Sequence, residues 1–186
     1  GLHPDRRYQT IVATTHRLYK NHADGRYDTA TLAGAPVGDP AVADIDRDGY
    51  PEIVVCTGEG IYAFRSKGIP IDGFPMAIPP GDPDERITSS PIVADLDANN
   101  LPDIAVCTSD MRMLAFDRRG EQAAGFPLAL AGAVTGTPCV FGNADGTIGL
   151  AYITTDGRLM AHALEKTPDG HFMPWTMWKG RSEERR

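Results

Sequence analysis

The chain repeats itself at a spacing close to 50 residues. Asp44 and Asp95 begin two similar acidic stretches 51 residues apart, and the same offset separates Cys56 from Cys107. A third copy follows in "GTPCVFGNADGTIGLAYITTDGRLMAHALE", and an earlier stretch, "QTIVATTHRLYKNHADGRYDTATL", matches only the latter part of a copy. An internal period of this length indicates a propeller or a solenoid, and it constrains the fold more than any single motif does.

Each copy is built from short β-strands. In the second copy the candidate strands are "DPAVAD", "PEIVVCT", "GIYAFRS" and "FPMAI", separated by turn residues. The second of these is a continuous apolar run, which is expected of a strand whose two faces are both packed. We find no helical periodicity, and four antiparallel strands in about 50 residues are typical of a propeller blade. The sequence therefore predicts an all-β fold, a β-propeller segment of about four blades with the first one incomplete.

The repeat also sets the expected boundaries. We predict a partial blade at 1–35, two blades with acidic loops at 36–86 and 87–133, a degenerate blade at 134–180 and a charged tail at 181–186. The stretch "DRRYQTIVATT" aligns with "RDGYPEIVVCT", which pairs Thr15 with Thr57 and leaves the first blade without its first strand. Propellers usually close with four to eight blades. We therefore expect the remainder of a longer propeller, or another protein chain, at the N-terminal partial blade.

Two loops hold the surplus of negative charge. The chain has 25 acidic and 18 basic residues, for a net charge of −7. Seven acids, equal in number to the whole excess, lie in these loops: Asp44, Asp46, Asp48, Glu52, Asp95, Asp97 and Asp103. Carboxylates this close repel one another unless a cation compensates them. The pattern indicates metal binding, while the lack of a basic patch and of a long apolar run argues against nucleic-acid binding and membrane insertion.

The most specific stretch is "PAVADIDRDGYPEIVV", followed by "IYAF". It resembles the FG-GAP/VCBS repeat family, which forms the blades of integrin α-chain propellers and of many bacterial surface and secreted proteins. The resemblance covers roughly residues 10–165. It implies a calcium-binding propeller in an extracellular, cell-surface or periplasmic protein.

Oxygen atoms at alternate positions of a tight loop can surround a calcium ion, which takes six to eight oxygen ligands. The candidate ligands of the first loop are Asp44, Asp46, Asp48, the carbonyl of Tyr50 and Glu52. The position of Glu52 follows the family's arrangement. Those of the second loop are Asp95, Asp97, Asn99, the carbonyl of Leu101 and Asp103.

Two glycine positions distinguish the three loops. Gly49 permits the sharp turn of the first loop, and Asn100 takes its place in the second, where Asn is tolerated better than most residues. With one charge fewer, the second loop is expected to bind calcium more weakly. In the third copy Gly142 and Gly149 stand where the first and last acids belong, so we expect no ion there. The two expected ions are structural, because oxygen ligands around a hard cation supply no activated nucleophile by default.

The three cysteines show no Cys-x-x-Cys pair, so zinc and redox chemistry receive little support. We predict that Cys56, Cys107 and Cys139 are buried, reduced thiols. Cys56 and Cys107 occupy matching strands of adjacent blades, and we expect them to be too far apart to form a disulfide.

Catalysis is not indicated by the sequence. The five histidines show no ligand spacing, and no serine lies in the strand-turn-helix context of a hydrolase. Our interpretation is a non-catalytic, calcium-stabilised propeller module of a larger secreted or cell-surface protein that binds a protein or a glycan. One alternative is an accessory or catalytic propeller of a polysaccharide-active, lyase-like enzyme. A second, suggested by "IYAF" and "MLAF", is a quinoprotein-like propeller.

Overall fold

Four antiparallel β-sheets follow one another along the chain in a computed structural model that describes residues 10–22, 24–79, 84–134, 136–142, 147–166 and 174–175. The first sheet contains β1 (Thr10–Ala13), β2 (Arg17–Asn21) and β3 (Tyr27–Thr31). The second contains β4 (Ala41–Ala43), β5 (Glu52–Cys56), β6 (Gly60–Phe64) and β7 (Met76–Ala77). The third contains β8 (Ile92–Ala94), β9 (Asp103–Cys107), β10 (Arg112–Phe116) and β11 (Leu128–Ala129). The fourth contains β12 (Cys139–Gly142), β13 (Thr147–Ile153) and β14 (Leu159–Lys166).

Strands that are neighbours in the sequence are also neighbours in each sheet. The second sheet has the order β4-β5-β6-β7, and the third repeats it as β8-β9-β10-β11. A further strand, β15 (Pro174–Trp175), pairs antiparallel with β8 and not with the fourth sheet. The only helical element among the described residues is a 3₁₀ turn at Ser66–Gly68. The all-β prediction and the four predicted strands of the second copy are confirmed. None of the described residues forms a helix long and apolar enough to cross a membrane.

The hydrophobic core lies between the sheets, because successive side chains of a strand point to opposite faces. One cluster joins the first and second sheets, one joins the second and third, and one joins the third and fourth. In β5, for example, Val54 packs toward the third sheet while Val55 packs toward the first. All five residues of β5 and of β9 are buried. This double burial explains the continuous apolar runs in the sequence.

A threonine marks the same hairpin turn in all four sheets. The Thr14 hydroxyl donates to the Arg17 carbonyl at 3.0 Å, and the Thr57 hydroxyl donates to the Gly60 carbonyl at 3.5 Å. Thr108 and Thr154 make the corresponding bonds in the third and fourth sheets. The predicted pairing of Thr15 with Thr57 is therefore wrong by one residue, since Thr14 occupies that place. The error arose because the aligned letters do not show where the hairpin hydrogen bonds close.

The cysteines differ in exposure. Cys56 and Cys107 are free and fully buried, as predicted, and they belong to two different core clusters. Cys139 is free but exposed, so its predicted burial is wrong. It lies on β12, and no described sheet packs against the face of the fourth sheet that carries it.

Candidate metal centre

The first acidic loop joins β4 to β5 and folds around its own carboxylates. Carboxylate oxygens of Asp44, Asp46 and Asp48 lie within 4.8 Å of one another. The two oxygens of Asp44 accept the backbone N–H groups of Asp48 at 3.1 Å and Gly49 at 3.0 Å. Such side-chain to backbone bonds hold a turn without any helix or strand partner.

The second loop joins β8 to β9 and has the same bonding pattern. Oxygens of Asp95, Asp97 and Asp103 lie within 4.8 Å of one another. The two oxygens of Asp95 accept the N–H groups of Asn99 at 3.1 Å and Asn100 at 2.9 Å. The turns of the two loops therefore share the same pattern of side-chain to backbone bonds.

The backbone conformations also match. Arg47 and Ala98, at equivalent places, both have φ of 61°. Gly49 has φ of 89°, and Asn100 has φ of 64°. A positive φ is unfavourable for residues other than glycine, although Asn tolerates it better than most. Asn100 thus occupies the glycine position of the turn, as expected.

The last acid of each loop closes it from the start of the following strand. Glu52 is 1% exposed, and one of its carboxylate oxygens accepts the Ile45 N–H at 3.0 Å. Asp103 is 0% exposed, and its Oδ2 accepts the Leu96 N–H at 2.9 Å. The two differ in one respect, since Asp103 joins the group of three clustered carboxylates in its loop and Glu52 does not.

The remaining predicted ligands are at the surface. Tyr50 and Leu101, expected to contribute carbonyl oxygens, have side chains that are 74% and 41% exposed. Their N–H groups donate to the side-chain oxygens of Asp48 at 2.8 Å and Asn99 at 2.7 Å. Asn99 therefore takes the same part in its loop as Asp48 does in the first.

Sequence reasoning missed Arg65. Its guanidinium donates to Asp46 Oδ2 at 3.0 Å and compensates part of the negative charge of the first loop. The equivalent residue of the third sheet is Asp117, in the matching motifs "IYAFR" and "MLAFD". Among the described residues, the corresponding oxygen of the second loop, Asp97 Oδ2, accepts the Ala124 N–H at 3.3 Å and has no arginine partner. The sequence shows the difference between Arg65 and Asp117. It does not show that Arg65 reaches Asp46, because that contact forms only when the sheet has folded.

Burial and mutual repulsion make these carboxylates hard to ionise. Burial, and then the charges of Asp97 and Asp95, raise the pKa of Asp103 from 3.8 to about 7. In the first loop, burial and the neighbouring Asp46, together with the other loop carboxylates, raise the pKa of Glu52 to about 6. Both shifts have the direction expected of clustered acids that lack a compensating cation.

One oxygen in the second loop has no partner. Asp103 Oδ1 is buried and has no hydrogen bond among the described residues. A buried carboxylate oxygen without a donor costs free energy unless a cation takes the donor's place. All the side chains of the two clusters offer oxygen, which suits a hard cation such as calcium and does not suit zinc or copper. The residues present therefore fit calcium.

The third copy differs at the same place. β12 and β13 pair Phe141 with Gly149, whereas Ala43 pairs with Glu52 and Ala94 pairs with Asp103. A Cβ atom added to Gly149 would lie 2.4 Å from the Phe141 ring. The ring thus occupies the space that the last acid uses in the other two loops. The expectation that Asp145 holds no ion falls outside the described residues.

Comparison with known proteins places these loops in a family. The FG-GAP-like repeat family matches residues 44–106, which include both acidic loops. This segment consists of FG-GAP-like repeats. The family resemblance predicted from the sequence is thereby confirmed. No curated protein matches the chain significantly.

Solved structures with a similar fold are β-propellers. This chain is similar to BBS1N, solved in complex with ARL6DN and soaked with lead, at a TM-score of 0.67 and 17% identity. That match covers 91% of this chain and 52% of BBS1N. BamB from Moraxella catarrhalis matches at a TM-score of 0.51 and 19% identity, over 84% of this chain and 49% of BamB. Both are β-propellers, so the sheets described above are propeller blades, and the chain spans about half the length of these relatives.

Proposed function

We propose that this chain is a calcium-stabilised β-propeller module that binds another protein and performs no catalysis of its own. The observation that carries the calcium assignment is the buried Asp103 oxygen, which has no donor and lies beside two other carboxylates. The same loop geometry recurs one blade earlier, which argues for a repeated structural use.

Calcium would be held by the oxygens that the two loops gather. In the first loop these belong to Asp44, Asp46, Asp48, Glu52 and the Tyr50 carbonyl. In the second they belong to Asp95, Asp97, Asn99, Asp103 and the Leu101 carbonyl. The ion would supply positive charge that compensates the carboxylates, and it would tie each loop to the strand that follows it.

The role of such an ion is stability. An ion that binds only the folded state adds a free energy of RT ln(1 + [Ca²⁺]/Kd), or about 3 to 4 kcal/mol at 100 to 1,000 times Kd. Arg65 offsets part of the negative charge of the first loop. The calcium affinities of the two loops should therefore differ less than their numbers of acids alone would suggest. Extracellular modules commonly bind calcium at about 0.1 to 1 mM, which suits a secreted or cell-surface location.

Protein binding is supported by the fold class and by a similar propeller. BBS1N was solved in complex with ARL6DN. The two potential metal clusters of the described residues contain carboxylates alone, without histidine or cysteine.

Calorimetric titration with calcium tests the proposal. The wild-type chain should bind calcium at two sites, and Asp46→Asn and Asp97→Asn should each weaken one site. Asn keeps the size of the side chain and an oxygen acceptor, and removes only the charge. Asp72→Asn, at an exposed residue outside both clusters, is the matched control and should bind as the wild type does. Absence of binding at millimolar calcium, or an equal loss in the control, would refute the proposal.

A further inference from the structure

The first sheet departs from the other three at one position that faces the second sheet. Lys20 stands three residues after the carbonyl that accepts the threonine bond of its hairpin, and the other sheets carry Ala63, Ala115 and Ala161 there. Ala63 and Ala115 are 0% exposed, in the cores between the sheets. The first sheet thus places a charged side chain where the repeat places a small apolar one.

The residues opposite this lysine also differ. Its partner across the first sheet is Asp28, which follows a short hairpin. In the second sheet the Ile71 N–H donates to the Ala63 carbonyl at 3.0 Å, and the chain then places Phe74 in the core between the second and third sheets. Phe126 is buried in the same way between the third and fourth sheets. The first sheet therefore presents an acid at the end of its contact where the other two contacts bury an aromatic ring.

A cavity of about 480 Å³ opens between the first and second sheets at this end. His22, Arg26 and Asp28 of the first sheet line one side of it, and Ser66 and Lys67 of the 3₁₀ turn line the other. Small-molecule sites commonly have volumes of about 300 to 1,000 Å³. These five side chains are polar, and an apolar ligand would leave them without hydrogen bonds. The cavity therefore suits a polar small molecule.

Hydrogen bonds hold the walls of the cavity in place. His22 Nε2 lies 2.7 Å from Asp28 Oδ2, within the first sheet. Lys20 Nζ donates to Ser66 Oγ at 3.2 Å and so joins the two sheets beside the cavity. Groups that are already positioned cost less to order when a ligand binds.

Lys67 supplies an unpaired positive charge. Among the described residues, its ammonium has neither an ion pair nor a hydrogen bond. Its φ is 70°, a costly conformation for residues other than glycine, which the equivalent Arg119 of the third sheet does not share. The next residue, Gly68, fixes the turn against the first sheet, because an added Cβ would lie 2.3 Å from the Thr29 carbonyl oxygen. A strained turn thus holds this cation at the edge of the cavity.

We propose that this cavity binds an acidic sugar, with the sugar carboxylate on Lys67 and sugar hydroxyls on Asp28 and Ser66. Two further basic residues and one further acid lie beside it: Lys20, Arg26 and Asp24. The resulting excess of one positive charge suits a single carboxylate. An acidic side chain of a partner protein would supply the carboxylate but would fill little of the cavity. The site is separate from the calcium loops and adds a sugar ligand to the protein partner proposed above.

A chemical-shift titration of residues 1–186 in calcium tests this proposal. The probe is glucuronate, and glucose is the matched neutral sugar. Glucuronate should shift the backbone resonances of His22, Asp28, Ser66 and Lys67, and glucose should shift them far less. Lys67→Gln should weaken glucuronate binding about tenfold, because it removes a charged donor and keeps a polar side chain. Its spectrum should otherwise match that of the wild type, since Lys67 is exposed.

Two comparisons decide the outcome. Arg119→Gln removes the equivalent charge from the third sheet and should bind glucuronate as the wild type does. Propionate carries a carboxylate without a sugar ring and should bind more weakly than glucuronate. Propionate binding as tight as that of glucuronate would overturn the assignment to a sugar. Unchanged binding in Lys67→Gln, an equal loss in Arg119→Gln, or no shifts at the cavity in millimolar glucuronate would overturn the proposal.

Discussion

Calcium should remove most or all of the stability that replacement of Asp103 by Asn adds in its absence. The carboxylate is 0% exposed and retains one donor, the Leu96 N–H, which an Asn oxygen can also accept. Without calcium, the substitution removes a buried charge and preserves the bond. With calcium, it removes a charged ligand from the metal.

The magnitude follows from the pKa of this group. Asp103 has a pKa of about 7 in the folded protein, against its ordinary value of 3.8. The pKa is thus raised by roughly three units, and each unit corresponds to about 1.4 kcal/mol. Ionisation of Asp103 therefore costs the folded state up to about 4 kcal/mol. Because the folded state holds the proton more tightly, this penalty is absent below about pH 4, grows as the pH rises, and is complete above about pH 7.

Urea unfolding with EGTA and with calcium, at pH 4.5 and pH 8, measures both effects. In EGTA at pH 8, Asp103→Asn should be more stable than the wild type by up to about 4 kcal/mol, and at pH 4.5 the difference should be small. In calcium at pH 8 the wild type should gain about 3 kcal/mol or more that the variant does not gain. Asp72→Asn is the control and should follow the wild type throughout. Equal stability of Asp103→Asn and the wild type in EGTA at both pH values would refute the reasoning.

Two further changes test the packing and the burial of the thiols. Gly149→Ala should destabilise the fourth sheet by about 1 to 3 kcal/mol in thermal or urea unfolding, because its Cβ would overlap the Phe141 ring. Gly149→Ala combined with Phe141→Leu should recover part of that loss, and no recovery would contradict the assigned overlap. In the native protein a thiol reagent should label Cys56 and Cys107 only on unfolding, as mass mapping would show. Burial raises the pKa of the Cys56 thiol and raises that of Cys107 to about 12. Rapid labelling of either would contradict their place in the core.

The repeat made the fold predictable from the sequence, because each copy carries its own strands and turns. Spacing alone aligned Cys56 with Cys107 and the two acidic loops with each other, and the structure keeps both alignments. Asn100 was assigned to the glycine position from its known tolerance of positive φ, and its φ is 64°. These features depend on local residues, which a sequence displays directly.

The errors concern contacts between distant parts of the chain. Cys139 lies in the apolar stretch "TPCVFG", but its burial depends on whether another sheet covers it. Thr14, and not Thr15, corresponds to Thr57, because the hydrogen bonds across the hairpin set the register and the aligned letters do not show them. Arg65 reaches Asp46 from 19 positions away, which no motif of the loop contains. Pairing of β15 with β8 likewise joins segments about 80 residues apart and has no sequence signal that we identified.

The central claim is that two FG-GAP-like loops each hold a calcium ion. Crystals grown in calcium and measured at a long X-ray wavelength would locate the ions by anomalous scattering. We predict one peak among the carboxylates of Asp44, Asp46 and Asp48, and one among those of Asp95, Asp97 and Asp103, with oxygens at about 2.3 to 2.6 Å. We predict none between Gly142 and Gly149. Well-ordered loops without anomalous density at either carboxylate group would contradict the account.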